Sequence, residues 1–569
     1  MDKLRLFCCL LLWAASHPGV AAGPGQFAPP ITERPSATLP ELPEFETETP
    51  AESLERPHQN KKGSAATDTI HQIYVKAFRF EGNTVFDDST LQAIAAPYTN
   101  RAVSLSELEE LRYKLSQLYL QNGYPNSGTV LPSQQFKDGV IRFKIIEGKL
   151  SEIRIQGTER LDPDYIRDRL MLAAGPPLNS KSLEERFRLL LQDPLIERMD
   201  GRLSPGQAPG ESILDLKVKR ARPYQLGISA NNYRPPSTGG EQGELFGYVR
   251  NLTGYGDTLD FSGTVSAGSV SGSGGFSLPV TRYDTQLFVR ASYNRARIIE
   301  KPLDDLKIRN KFWSVQVGVN QPVYRSLERS FYAGMRFEFR KNRNKLDGKR
   351  FSFSEGEDDG ISKVSVLRFT QDYIERHARQ VLAFRSIFSL GVDVLDSTQH
   401  AHGIADGDFY AWLGQLQYAW QVMDNGAQLL FRGNLQLSSD RLLPLEQFAL
   451  GGVHSVRGYR ENEVVTDQGF DLSLEFRYPV IGGTGYFANP DFPGTLYVIP
   501  FMDYGGAWDV NNGKQIELLH SVGAGLRWLP VPQISAEVYY AHDLNTARKK
   551  TSRDLQDRGV FFNVTYLAF

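Results

Sequence analysis

From Pro223 to the last residue, apolar and polar side chains alternate with a period of two. Between Gln428 and Ser438 the even positions read Gln, Leu, Arg, Asn, Gln, Ser, and the odd positions Leu, Phe, Gly, Leu, Leu. Between Leu472 and Tyr478 the even positions are Leu, Leu, Phe and Tyr, opposed by Ser473, Glu475 and Arg477. Successive residues of a strand point to opposite faces, so one face here seeks an apolar medium and the other water. No segment supplies the roughly 18 consecutive apolar residues of a membrane helix. A soluble β-sandwich and a membrane β-barrel both fit the alternation. Two features favour the barrel: aromatics near strand ends (Trp412, Tyr418, Trp420, Tyr478, Tyr486, Tyr497, Trp508, Trp528), and a final strand, Val560 to Phe569, that ends on Phe. The ~350 residues available accommodate 16 strand-and-turn units of about 22 residues, which suits strands of roughly 9 to 11 residues.

The opposite end of the chain reads as an export signal. Lys3 and Arg5 precede an apolar stretch from Leu6 to Ala15, and Val20-Ala21-Ala22 places small residues where a signal peptidase cuts. Residues 1–22 are therefore predicted to be removed. Both cysteines, Cys8 and Cys9, leave with them, so disulfides and Cys-based metal sites are excluded from the exported chain. Residues 23–72 read as a linker, with prolines at 24, 29, 30, 35, 40, 43, 50 and 57 that forbid a long helix. Charge is nearly balanced, 64 Lys+Arg against 66 Asp+Glu, which argues against a nucleic-acid partner.

Between linker and barrel, one pattern occurs twice. A strand from Ile73 to Phe80 turns at Glu81-Gly82-Asn83, and helical patterns follow at 89–97 and 104–122. The second helix opens with a capping box, Ser104 with Glu107, and carries Leu108, Leu111, Leu115 and Leu118 on one stripe. Strands near 128–131 and 140–146 close the unit. The order restarts at Ile153-Arg154-Ile155-Gln156-Gly157, with helices at 162–172 and 182–192 and strands near 199–203 and 213–218; Ser182 with Glu185 reads as a second capping box. Two tandem β-α-α-β-β modules are expected, at 73–149 and 150–221, ahead of a barrel at 222–569.

The segment from Asp440 to Phe470 is too long for a hairpin turn and carries Gly451-Gly452 and Val456-Arg457-Gly458-Tyr459. Further on, Phe501, Asp503 and Gly505 share one strand face, opposite Val498, Met502, Tyr504 and Trp508, so Asp503 is expected to point into the lumen. A carboxylate on that wall needs a cation, and an Arg on a loop folded inward supplies a bidentate partner; a solvated Arg457 and a hydrated Asp503 are the alternative.

Together the two modules, the alternating C-terminal part, Val456-Arg457-Gly458-Tyr459 and Phe501-x-Asp503-x-Gly505 resemble the haemolysin secretion/activation (filamentous-haemagglutinin transporter) family of two-partner secretion, over residues 70 to 569. The resemblance implies a mainly β protein: a 16-stranded transmembrane antiparallel barrel in the outer membrane, preceded by two α+β POTRA domains in the periplasm. It also implies a large secreted exoprotein as partner, of adhesin or cytolysin type, and contacts with outer-membrane lipid and the barrel-assembly machinery. Within it, Arg457 contacts Asp503, framed by Val456, Gly458, Tyr459, Phe501 and Gly505, and Phe569 serves as C-terminal assembly signal. Many members carry an N-terminal helix that plugs the barrel, whereas residues 23–57 here are interrupted by proline. An outer-membrane assembly insertase of the same superfamily is the runner-up, although such insertases commonly carry more POTRA modules. No enzyme is expected, and neither cofactor nor metal: GxSxG, HExxH and GxxxxGK[ST] are all missing, and His400 and His402 beside Asp406 and Asp408 read as a polar loop. Gly268 to Gly275 reads as a flexible turn between strands.

Overall fold

The computed structural model describes residues 72–569 apart from 136–137, 401–402, 483–493, 511–515, 546–553 and 569, together with Arg34 and Leu42. The expected leader with Cys8 and Cys9, most of the Pro-rich segment, His402, Tyr486 and Phe569 lie outside the described residues. The chain divides into two compact units, residues 48–221 and residues 1–47 with 222–569.

In the first unit, each module packs two helices against a three-stranded sheet. The first sheet runs in the order Ala77–Glu81, Val140–Ile146, Gly128–Val130, with a parallel first pair and an antiparallel second. Its long helix, Leu105–Gln121, starts at the expected capping box: Glu107 N–H donates to Ser104 Oγ at 3.2 Å and Ser104 N–H to Glu107 Oε2 at 2.7 Å. Leu108, Leu111, Leu115 and Tyr119 of this helix are fully buried against Ile141 and Phe143, while Leu118 sits at the margin of the core. The strand expected over 73–80 breaks in two at Lys76. Gly139 O accepts from both Lys76 N–H and Ala77 N–H, which turns the chain there; Gln72–Val75 swings aside to pair with Arg101–Ser104, a strand with no sequence signal.

The second module repeats the plan with sheet order Lys149–Gln156, Glu211–Arg220, Ile196–Pro205. Its second helix spans Ser180–Leu191, and its cap is Asn179, not Ser182. Asn179 Oδ1 accepts from Lys181 N–H at 2.9 Å, so a strong capping residue upstream of Ser182 captures the helix start. Both repeats turn on a glycine after their first long strand: Gly82 and Gly157 have φ of +90° and +86°, and a Cβ there would lie 2.5 Å from Ile145 O and 2.2 Å from Val218 O. Only glycine accepts that geometry, which is why the strand ends alike in both modules.

The second unit is a closed antiparallel barrel of 16 long strands, with a short extra hairpin strand, Lys349–Arg350. It runs from Tyr224–Asn231 to Val560–Leu567, and those two strands close it through pairs from Asn563↔Asn231 to Leu567↔Gly227. Asn232 extends this seam with its side chain, donating to Val560 O and accepting from Phe562 N–H at 2.8 Å each. The alternation becomes two surfaces. Leu437, Tyr504, Leu526 and Trp528 are exposed on the outside, whereas Gln415, Arg432, Asn434 and Ser473 are buried inside. Tyr497 departs from the expected aromatic girdle: it shares parity with Phe501 and Asp503 and packs inward beside Ile499 and Phe501. The glycine-rich stretch at 268–275 is not a turn but mostly strand, within Ser269–Pro279. Gly275 leaves room for the Arg290–Asp260 ion pair across the inner wall, since a Cβ would lie 2.7 Å from Arg290 Nη2.

Candidate functional site

A 16-stranded barrel is wide enough to leave a water-filled lumen. Here residues 439–467, between strands Gln428–Ser438 and Gln468–Ile481, fold into it. The loop carries its own ribbon, Phe448–Leu450 paired with Val464–Thr466. At its base Asp467 Oδ1 accepts from Leu442 N–H at 2.9 Å, which pins the two legs together.

The tip bears Val456-Arg457-Gly458-Tyr459. Arg457 is completely buried, and its guanidinium is used on every side. Nε and Nη2 donate to Asp503 at 2.7 and 2.8 Å, Nη1 to Glu475 at 2.6 Å and Nη2 to Ser473 Oγ at 3.1 Å. Arg457 N–H adds a bond to Asp503 Oδ2 at 3.0 Å. The Phe501 ring lies 3.5 Å from the guanidinium carbon, a cation–π contact in a site shielded from water. Three inward positions of two adjacent strands, Ser473, Glu475 and Asp503, thus converge on one cation, because Ser473 and Asp503 are direct cross-strand partners.

The framing residues make this approach possible. A Cβ on Gly505 would lie 2.5 Å from Leu450 Cδ1 and 3.0 Å from Val456 Cγ2, so the bare backbone at 505 is the seat for the loop. Gly458 has φ of +92°, which turns the chain immediately after Arg457. Val456 is buried with Phe448, Leu450, Tyr459 and Leu519, and Tyr459 Oη donates to His520 O at 3.0 Å.

Two further clamps escaped sequence reasoning. On the leg before the ribbon, Glu446 is buried between Arg340 and Arg368, with contacts of 2.8 Å to each. Arg368 also pairs with Glu338 at 3.0 Å, and Arg340 donates to Leu445 O. Their signal lay in the alternation itself: Arg336, Glu338 and Arg340 occupy the inner face of strand Arg329–Leu346, opposite Met335, Phe337 and Phe339. On the leg after the tip, Arg460 pairs with Asp557 at 2.6 Å and Glu300 at 2.8 Å, and Glu461 N–H donates to Gln556 Oε1 at 2.9 Å. Gln556 in turn donates to Asn232 O and Arg234 O beside the closing seam. The loop is therefore held on one wall by its own carboxylate and on two others by its own arginines.

The two described residues of the Pro-rich segment also reach the barrel interior. Leu42 packs against inward-facing Ala419 and Leu430, and Arg34 Nε donates to Pro444 O of the loop at 3.3 Å. His400 belongs to an outer loop, where its Nε2 lies 3.2 Å from Gly356 O.

A model described as haemolysin secretion/activation protein ShlB/FhaC/HecB matches residues 210–528, more than half of the chain. The chain belongs to this family. The ShlB-type POTRA domain matches residues 73–148, the first of the two modules. Among curated relatives, the outer membrane transporter CdiB of Dickeya dadantii is 24% identical over 79% of this chain and 83% of its own length. The heme/hemopexin transporter protein HuxB of Haemophilus influenzae (strain 86-028NP) is 23% identical over 80% of each chain. Of solved structures, CdiB from Escherichia coli superposes with a TM-score of 0.65 at 20% identity, covering 90% of this chain and 93% of that one, which shows the shared fold. The protein is an outer-membrane transporter of the two-partner secretion type, with POTRA modules in the periplasm and a secreted exoprotein as partner.

Proposed function

We propose that the chain captures its exoprotein as an extended segment at the POTRA sheets and passes it through the barrel, with the inward loop as the element that holds the path shut. The supporting observation is the loop's tethering: it runs from Arg340 and Arg368 on one wall to Ser473, Glu475 and Asp503 on another, across the lumen that the client would use. Arg457 with Asp503 is the resting latch of this mechanism, and Val456, Gly458, Tyr459, Phe501 and Gly505 seat it.

Capture needs main-chain hydrogen bonds and little sequence demand, which strand addition at a sheet edge supplies. The outer strand Ile196–Pro205 of the second module, ten residues long, is the best template in the first unit. Once through, the client folds outside and buries its surface, which gives direction without nucleotide hydrolysis. An adhesin- or cytolysin-type exoprotein that arrives unfolded fits this route.

The test is Arg457→Ala. Export of the exoprotein should fall sharply while the barrel still assembles and keeps its heat-resistant gel mobility. Normal secretion by the variant would end the latch reading.

A further inference from the structure

The outer face of the barrel carries a charge pattern that the lumen and its loop do not account for. Along strands Gln286–Arg297, Arg309–Arg325 and Arg329–Leu346, the odd positions face outward: Val289, Tyr293, Trp313, Val315, Val317 and Met335 are exposed there. At one end of these strands that apolar surface gives way to cations. Register places Arg295 opposite Lys311 and Lys311 opposite Arg343; one step further along, Arg297 faces Arg309 and Arg309 faces Lys345. Lys341 faces Lys363 on the next strand, Ile361–His377.

Like charges placed directly across a sheet repel, and a fold does not stack two rows of them without an external counter-charge. None of Arg295, Arg297, Arg309, Lys311, Arg343 and Lys345 takes part in an ion pair among the described residues. The nearby acids lie at the rim: Asp347 pairs with Lys307, Asp359 with Arg350 and Asp396 with Lys363. Asp304 and Asp305, on the loop joining Arg297 to Arg309, form no ion pair with the rows either among the described residues. The other end of the same strands behaves in the ordinary way, with Arg325 paired to Asp284 at 2.8 Å and Arg329 to Glu375 at 2.9 Å. Apart from Lys363, the outward positions Val265, Val270, Leu390, Leu437 and Leu518 at the same end of other strands are uncharged.

Depth and side follow from topology. Tyr293 is the direct partner of Trp313, which faces Lys341 on the next strand, and the row of Arg295, Lys311 and Arg343 lies one outward step beyond, about 7 Å along the strand. Interfacial aromatics mark the edge of the hydrocarbon layer, so the cations stand at head-group level. The chain enters the barrel from the periplasmic modules at Tyr224, and strands alternate in direction, so Arg297, Arg309 and Leu346 lie at the opposite, outer end.

We propose that this face, centred on Arg295, Lys311 and Arg343, binds the phosphorylated disaccharide head group of the outer leaflet's glycolipid, lipid A. Its acyl chains lie along the apolar strand face below, and its phosphates supply the missing counter-charge. Occupancy would hold strands Gln286–Arg297 to Arg329–Leu346 together at the outer rim; the last of them carries Arg340, one of the two anchors of Glu446, on its inner face.

The experiment uses the full chain purified in zwitterionic detergent, with retention of bisphosphorylated lipid A read by native mass spectrometry. Lys311→Gln with Arg343→Gln should retain it about thirty-fold more weakly, while Arg325→Gln, at the paired end, retains it as the unaltered chain does. Gel mobility before and after heating verifies that the variant barrel is folded; without lipid A it should melt no lower than the unaltered chain, because repulsion has been removed. Retention of lipid A by the double variant within threefold of the unaltered chain would overturn the proposal. So would equal retention of phosphatidylethanolamine, or displacement of lipid A by millimolar inorganic phosphate. Loss of exoprotein export with undiminished lipid retention would assign the patch to the client instead, and also overturn it.

Discussion

Glu446→Gln isolates the clamp that no motif marks. The carboxylate receives 2.8 Å contacts from Arg340 and Arg368, and a second bond from Arg368 at 2.9 Å, in a site where all three side chains are at most 3% exposed. Substitution by the neutral isostere leaves Arg340 and Arg368 sharing Glu338 as their remaining carboxylate partner among the described residues. Removing one member of a buried pair costs about 3–5 kcal/mol, because the surviving charge stays desolvated. If the loop's docked state carries that cost, its undocked population rises by about two to three and a half decades. A reporter reads this directly. Cys8 and Cys9 are the protein's only cysteines, so Val453→Cys in a chain lacking both gives one thiol, at a fully buried loop position. Its labelling rate with a maleimide should climb at least a hundredfold in the Glu446→Gln background. A change below threefold would mean that the leg bearing Glu446 and the tip move independently, and the two-wall tether would be wrong.

Gly505→Val should displace Leu450 and Val456 without touching a charge, raise labelling of the same Val453→Cys reporter at least tenfold and reduce export, while Gly243→Val, on an extended strand where the nearest atom, Val265 Cγ1, lies 4.0 Å away, serves as the neutral control for bulk. In the first POTRA module, burial alone would raise the pKa of Glu147, but hydrogen bonds from Thr84, from Val85 N–H and from Tyr119 outweigh it and hold the carboxylate below its ordinary 4.5. A lowered folded-state pKa adds stability that is complete above the unfolded value and disappears as pH falls through the folded one. The thermal stability of the periplasmic unit should therefore fall below about pH 4.5, and Glu147→Gln should cost about 1–3 kcal/mol at pH 7 and flatten that acid dependence.

Much of this was legible because strand parity is geometric. Alternation alone put Ser473, Glu475 and Asp503 on the wet face, since no local choice of rotamer changes which side of a sheet a residue faces. Ser104 announced its helix through the capping box, an interaction closed within four residues. What failed depended on distance or competition. Asn179 displaced Ser182 as a cap because two good candidates stood close together, and only packing chooses between them. The break at Lys76 depends on Gly139 O, more than sixty residues away. Tyr497 was misplaced because aromatic type suggested a girdle where parity pointed inward. Glu446 was invisible as a partner of Arg340 and Arg368 because cross-strand register, not spacing, sets which wall a long loop meets.

In the latch mechanism the loop leaves its seat when the client passes. The Val453→Cys reporter tests it in the presence of an exoprotein whose C-terminus is fused to a tightly folded domain, so that export stalls part-way. Labelling should be slow in the resting transporter, rise steeply while the stalled chain is engaged, and fall again once a cleavable fusion releases it. A reporter thiol that stays protected while the client demonstrably spans the membrane would contradict the latch mechanism.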